Sequence, residues 1–311
     1  MLTMEPLVTG WHVPVMREEV LHYLDCHPGG VYVDGTAGMG GHAAAILERI
    51  KPDGILVGID WDEDSLHIAR EHLAPFGNRV ILVKGNFADL PLISQELKIE
   101  KVDGVLLDLG ISSYHLEQSG RGFSFKQDEI LDMRIDKQNP LTARHIVNRF
   151  PERELEKIIR EYGEERWARR IAKVIGRQRE REPLNTAVQL ASLVASAIPR
   201  KFHPANIHPA TRTFQALRIA VNRELENLAR AIQGVVGLLK PGGRFCIISF
   251  HSLEDRIVKR KFQEMEQTGL MGERPVLRRI TRKPIIPSPE ECVANPRARS
   301  AKLRVAERLA A

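Results

Sequence analysis

The chain has 311 residues, of which 43% are hydrophobic and 28% charged, and its formal net charge is +6. That length buries a full core and suits one large domain or two moderate ones. Three scattered cysteines (Cys26, Cys246 and Cys292) without a C-x-x-C pair, no basic-then-apolar leader and no apolar run near about 18 residues argue against a disulfide framework, a zinc site, secretion and membrane spanning, so a cytoplasmic location is expected.

In chain order, strand-like apolar runs fall at Val31–Val33, Ile55–Ile59, Val80–Val83 and Val102–Leu107. Helical patterns at about 42–50, 62–74 and 88–97 separate them. Continuous apolar strands alternating with helices predict a parallel sheet covered on both faces, that is, a doubly wound α/β domain. The alternation then stops. Residues 113–207 are too long for an ordinary strand-to-helix loop and carry their own helical periodicity, at Leu155, Ile158, Ile159 and Tyr162 and again at Leu190, Leu193, Val194 and Ala197. They read as an inserted helical, substrate-recognition subdomain between two parts of one catalytic domain, 1–112 and 208–311. An apolar stripe from Phe214 to Leu239 predicts one long crossover helix, and Pro241-Gly242-Gly243 a turn before a fifth strand at Arg244–Phe250. A helix is expected at 253–265, irregular structure at 271–299 and a closing strand in "AKLRVAERL". Residues 271–311 hold ten Lys/Arg against four Asp/Glu, a basic tail suited to a polyanion such as nucleic acid, or to plain solvation.

The chemistry concentrates at strand ends. "VYVDGTAGMGGHA" places Asp34 at the end of the first strand and Gly35, Gly38, Gly40 and Gly41 before a helix that opens near His42; Asp60 ends the second strand. Glycines admit a ligand to the backbone, the helix N-terminus offers unpaired N–H groups, and the second acid suits a ribose. The G-x-G-x-x-A spacing at Gly38, Gly40 and Ala43 alone fits NAD equally well. Asp34 beside a ligand ammonium, a loop sized for one carboxylate with His42 next to it, and Asp108 at the end of the fourth strand tilt the reading toward S-adenosylmethionine. Each lone aspartate would otherwise be read as a helix cap.

The chain also resembles the ribosomal small-subunit RNA methyltransferase H family (RsmH, also called MraW). The resemblance rests on "HVPVMREEVL" at 12–21, "VYVDGTAGMGGHA" at 31–43, "GIDWDEDSL" at 58–66, "GVLLDLGISS" at 104–113, "RGFSF" at 121–125, "LDMR" at 131–134, "YGEERWARRIA" at 162–172, "HPATRTFQALRIAVNREL" at 208–225, "ISFHSLEDRIVKR" at 248–260 and "NPRARSAKLRVAER" at 295–308. It implies a class I S-adenosylmethionine-dependent methyltransferase with a Rossmann-like sheet. It also implies N4-methylation of a cytidine in the decoding region (P site) of 16S ribosomal RNA, within the small ribosomal subunit. Carried over by position, Gly40, Gly41 and His42 meet the methionine part of the cofactor, Asp60 the ribose and Phe87 the adenine, while Asp108 is a cofactor-site acid. His115 stands where many members have glutamine, in "SSYHL" rather than "SSPQL".

The Pro-Pro-aromatic run of many amino-methyltransferases is missing after Asp108, which disfavours a DNA amino-methyltransferase. Asp108 is therefore the candidate catalytic residue, accepting a hydrogen bond at the cofactor or the amine. Phe250 is the first candidate to stack on the base and Phe123 the second, with His251 and Ser252 beside Phe250. His251 reads either as a proton acceptor or as a histidine held by structural hydrogen bonds. "HSLED" lacks a usual ligand spacing, so no metal is expected, and a homodimer is compatible with the sequence. Two rivals stand beside this reading: an NAD-dependent oxidoreductase and an RNA-binding assembly factor with a vestigial cofactor fold.

Overall fold

The computed structural model describes residues 14–267 and 274–310, so the first two residues of the 12–21 run and positions 271–273 and 311 of the basic tail lie outside the described residues. The chain divides into two compact units, Met1–Gly110 with Asn227–Ala311, and Ile111–Glu226.

The first unit opens with α1 (Arg17–Leu24), then alternates β1 (Val31–Asp34), α2 (Gly41–Arg49), β2 (Ile55–Asp60), α3 (Glu63–Leu73), β3 (Val80–Lys84), α4 (Leu90–Glu96) and β4 (Val102–Asp108). After the second unit come α11 (Glu224–Leu238), β5 (Leu239–Ser249), α12 (Ser252–Gln267), β6 (Leu277–Arg279), α13 (Pro289–Ala294) and β7 (Lys302–Arg308). Seven strands form one sheet in the order β3-β2-β1-β4-β5-β7-β6. β1 to β5 run parallel and β7 is antiparallel to both its neighbours. This is the Rossmann-like class I order, and it reverses direction between β1 and β4, where open α/β sheets bind ligands. One apolar cluster, including Val105, Ile232, Phe245 and Phe262, covers one face; another, including Tyr32, Ile46, Leu56 and Val305, covers the other. None of the described helices is long and apolar enough to cross a membrane.

The strands expected from apolar runs are in place, and several expectations shift. The stripe from Phe214 to Leu239 is two helices, because Arg223 turns left-handed (φ 52°) between α10 (Thr211–Asn222) and α11. α10 belongs to the helical unit, so that unit runs to Glu226 rather than 207. The Pro241-Gly242-Gly243 turn is a bulge inside β5, where pairing steps from Leu239–Val102 to Arg244–Gly104. The stretch expected to be irregular contains β6. Much of the basic tail is paired within the fold: Arg278 and Glu307 (2.7 Å), Arg279 and Glu266 (2.6 Å), and Arg304 and Asp255 (2.7 Å). Its capacity for an outside polyanion is smaller than its charge count suggests.

The second unit holds α5 (Ser113–Glu117), α6 (Ala143–Arg149), α7 (Glu152–Gly163), α8 (Ala168–Arg181), α9 (Ala187–Ala197) and α10. α7 packs closely on α10: a Cβ on Gly163 would lie 2.6 Å from the Arg212 carbonyl. Residues 118–142 have no helix and are held instead by side chains on backbone. Arg121, buried, donates to the carbonyls of Arg134 (3.0 Å) and Ile135 (2.8 Å). Arg134 makes a two-pronged pair with Asp132. Asn222 accepts from the Ile135 N–H (2.9 Å) and donates to the Met133 carbonyl (2.8 Å). The "RGFSF" and "LDMR" runs are this network. Within it Gly122 has φ +68°, and a Cβ there would lie 2.2 Å from the Ile130 carbonyl oxygen. Gly122→Ala is expected to destabilise the helical unit by about 2–4 kcal/mol in urea unfolding, through backbone strain and a clash that only backbone movement relieves.

Candidate active site

The site is built where β1, β2 and β4 end side by side. Asp34 is buried at the end of β1 and its Oδ1 accepts from the Thr36 N–H (3.1 Å). The Thr36 hydroxyl in turn accepts the Asp108 N–H at 2.6 Å, which ties the end of β4 to the loop after β1. Gly35 sits so close to its neighbours that a Cβ would lie 2.5 Å from Leu107 Cδ2 and 3.2 Å from Phe87 Cβ. Only a glycine lets the loop lie this flat on the strands. Gly38 (φ +51°) and Gly40 (φ +90°) then turn the chain left-handed into α2, with Gly40 as its N-cap.

Asp60 organises the loop from the second strand. Its Oδ2 accepts the Gly38 N–H (2.8 Å) and its Oδ1 the Asp62 N–H (2.9 Å). A carboxylate has about four acceptor positions, a donor-accepting capacity of the kind a ribose hydroxyl pair calls for. Asp62 caps α3 by accepting from Ser65. Phe87 is buried at the carboxyl end of β3, with Trp61 edge-on at 6.1 Å between centroids. Trp61 and Thr36 were not singled out from the sequence. The only signal for Trp61 was its place after Asp60.

The electrostatics of this floor are unusual. His42 is 5% exposed, and among the described residues neither of its ring nitrogens makes a hydrogen bond. Its Nε2 lies 3.6 Å from Asp108 Oδ2. Asp34 Oδ2 and Asp108 Oδ1 are likewise buried without a hydrogen-bond partner among the described residues. Burial pushes the Asp34 carboxyl up to about 6; the nearby His42 and the Thr36 N–H pull it down, and the charges of Asp108 and Asp60 add to the rise. Buried polar atoms normally have partners, and four orphaned ones, two at the ends of β1 and β4 and two on the first turn of α2, are what a polar ligand would satisfy. Two carboxylate oxygens, an imidazole and the N-terminus of a nine-residue helix match a zwitterionic amino-acid group: acids for an ammonium, N–H groups for a carboxylate. Gly41, His42, Gly40, Gly38, Asp34, Asp60, Phe87 and Asp108 all belong to one unit.

Phe250 follows β5 and is half-buried; a Cβ on Gly110 would lie 3.5 Å from its ring, so the loops after β4 and β5 adjoin. His251 is engaged by Glu254, with Nε2 3.1 Å from Oε1, while Glu254 Oε2 accepts the Phe250 N–H (2.8 Å). Glu254 thus closes the first turn of α12, while His251 Nε2 is buried without a hydrogen bond among the described residues. Ser252 opens α12 and is exposed. The remaining candidates lie in the helical unit. His115 is buried at the third position of α5, where its Nδ1 lies 2.9 Å from the Ser112 hydroxyl in a capping box. Phe123 is buried with its ring edge-on to His115 at 5.1 Å.

A chain from Syntrophus aciditrophicus described as ribosomal RNA small subunit methyltransferase H is 53% identical over 308 residues, covering 96% of this chain and 98% of its own. One of the same description from Desulfotalea psychrophila is 51% identical over 298 residues, covering 96% and 98%. A crystal structure of an rRNA methylase from Streptococcus thermophilus superposes with a TM-score of 0.44 at 12% identity, covering 94% of each chain. The family model described as the MraW methylase family matches residues 9–309, and the chain belongs to that family.

Proposed function

We propose that this protein transfers a methyl group from S-adenosylmethionine to the N4 amine of a cytidine in the decoding region (P site) of 16S ribosomal RNA. The observation that carries the cofactor assignment is the set of orphaned polar atoms on Asp34, His42 and Asp108 beside the glycine loop. Membership in a methylase family sets aside the NAD-dependent alternative. The relatives described as small-subunit rRNA methyltransferases support ribosomal RNA as the acceptor. Ribosomal RNA as the substrate supports a cytoplasmic location.

The bound cofactor supplies an electrophilic methyl group on a sulfonium. Asp34 takes the ammonium of the amino-acid part, while His42 and the first N–H groups of α2 take its carboxylate. Asp60 takes the ribose hydroxyls, and Phe87 with Trp61 flanks the adenine. Asp108, at the end of β4, accepts a hydrogen bond from the target amine. That bond orients a nitrogen whose lone pair is otherwise delocalised into the ring. Phe250 stacks on the unstacked base. Catalysis here is mostly positioning, since displacement needs nucleophile and methyl carbon in line at about 3–3.5 Å.

Two measurements test this. In calorimetry, S-adenosylhomocysteine is expected to bind at least about 100-fold more tightly than NAD, a gap of about 3 kcal/mol; equal binding contradicts the cofactor assignment. With labelled methyl donor and purified small subunits, label should enter the ribosomal RNA and not the ribosomal proteins; label in protein contradicts the acceptor class.

A further inference from the structure

The helical unit carries an exposed aromatic surface that the methyl-transfer site does not use. Trp167 precedes α8, and Phe202 ends a single 3-10 turn, Arg200–Phe202, after α9. Their rings lie 5.2 Å apart at 44°. Phe202 is 40% exposed. The Arg166 guanidinium lies 4.7 Å from the Phe202 centroid and 5.5 Å from that of Trp167, and the Lys201 ammonium 5.1 Å from Phe202. Arg170 and Lys173 continue the face begun by Arg166 at helical spacing, and both are exposed.

Four arginines of the unit sit on carboxylates: Arg134 on Asp132, Arg160 on Glu156, Arg218 on Glu224 and Arg223 on Glu226. Among the described residues, Arg166, Arg170, Lys173 and Lys201 have no carboxylate partner, and the recorded contacts of Arg166 and Lys201 are with aromatic rings. A cluster of like charges around a half-exposed ring repels itself and leaves apolar surface in water. Both costs vanish against a strand that brings phosphates and a flat base together. Single-stranded nucleic acid is that ligand: bases stack on aromatic rings and guanidinium planes while the backbone follows cations. An acidic peptide would answer the charge but not the ring.

We infer that this surface docks a single-stranded segment of the RNA substrate, with one base on the Phe202–Arg166 layer and phosphates on Lys201, Arg170 and Lys173. The inference rests on the reading of ribosomal RNA as substrate and adds where a part of it outside the methylated nucleotide is held.

Fluorescence anisotropy with a labelled, unstructured RNA of about twelve nucleotides tests it. Phe202→Ala is expected to weaken binding at least about fivefold, with Phe202→Tyr restoring it. Arg170→Ala with Lys201→Ala should lower the slope of log affinity against log salt by about 1.4, the share of two phosphate contacts on a single strand. S-adenosylhomocysteine affinity should not move, and Phe202→Tyr should keep the parent's thermal stability, which separates lost docking from lost folding. Phe202→Ala that binds RNA as tightly as the parent overturns the inference while the methylation reading stands. So does polyglutamate that competes with the RNA at equal concentration, which would assign the face to an acidic protein. A parent protein that neither binds nor methylates RNA overturns the methylation reading itself.

Discussion

Asp34→Asn is expected to make the fold more stable at neutral pH and the cofactor bind more weakly. Burial raises the Asp34 carboxyl from 3.8 to about 6. Between those values the folded chain holds a proton that the unfolded chain has released, so stability from this group falls as pH rises and is fully lost above about pH 6. The difference amounts to about 3 kcal/mol of penalty at pH 7. Asparagine removes the buried charge. Its amide, placed where Oδ2 now lacks a partner, returns some of that gain, leaving about 1–3 kcal/mol in urea unfolding at pH 7 and no gain near pH 4. Cofactor affinity should move the other way. Loss of a charge-assisted contact with an ammonium costs about 1.5–3 kcal/mol, or about 10–100-fold in S-adenosylhomocysteine affinity. The parent's affinity should also decline below about pH 6 as Asp34 takes up its proton, while the variant's stays flat through that range. A variant that is less stable and binds equally well would remove Asp34 from the ammonium contact.

The second large effect is expected at Asp60, where one carboxylate does two jobs. Oδ2 holds the Gly38 N–H and Oδ1 the Asp62 N–H, which fixes the glycine loop against the cap of α3. Asp60→Ala leaves both amides without that acceptor, at about 1–3 kcal/mol each where water cannot replace it, and removes the ribose contact as well. S-adenosylhomocysteine affinity should fall by about 100-fold or more, with a loss of several degrees in melting temperature. Asp60→Asn keeps one acceptor oxygen and should fall between the two. If the Ala variant melts lower but binds as the parent does, Asp60 serves the loop and not the ligand.

The sheet from β1 to β5 was legible because each strand carries an apolar run of β-branched and leucine residues beside Gly or Asp, a pattern with few alternative readings. The same boundaries exposed the strand-end acids and the glycine loop. β6 was hidden because it has three residues in a stretch rich in Pro and Arg, and only Leu277 is buried. The break at Arg223 was hidden because the apolar stripe continues through it, and a left-handed residue other than Gly or Asn leaves no local mark. Thr36 escaped notice for another reason: its hydroxyl meets the Asp108 N–H across 72 residues, a contact only the folded sheet creates. Charge counting similarly could not foresee that Arg279 and Arg304 face Glu266 and Asp255.

We propose that the site formed by Asp34, His42, Asp60 and Asp108 delivers a methyl group to N4 of a cytidine in the decoding region. Nucleoside mass analysis of small-subunit RNA treated with the protein and an isotopically labelled methyl donor, followed by fragment mapping, tests it most directly. The account predicts labelled N4-methylcytidine confined to the decoding region, lost with Asp60→Ala and strongly reduced with Asp108→Asn. Labelled methyladenosine, a methyl on cytosine C5 or the ribose, or full transfer by Asp108→Asn would contradict it.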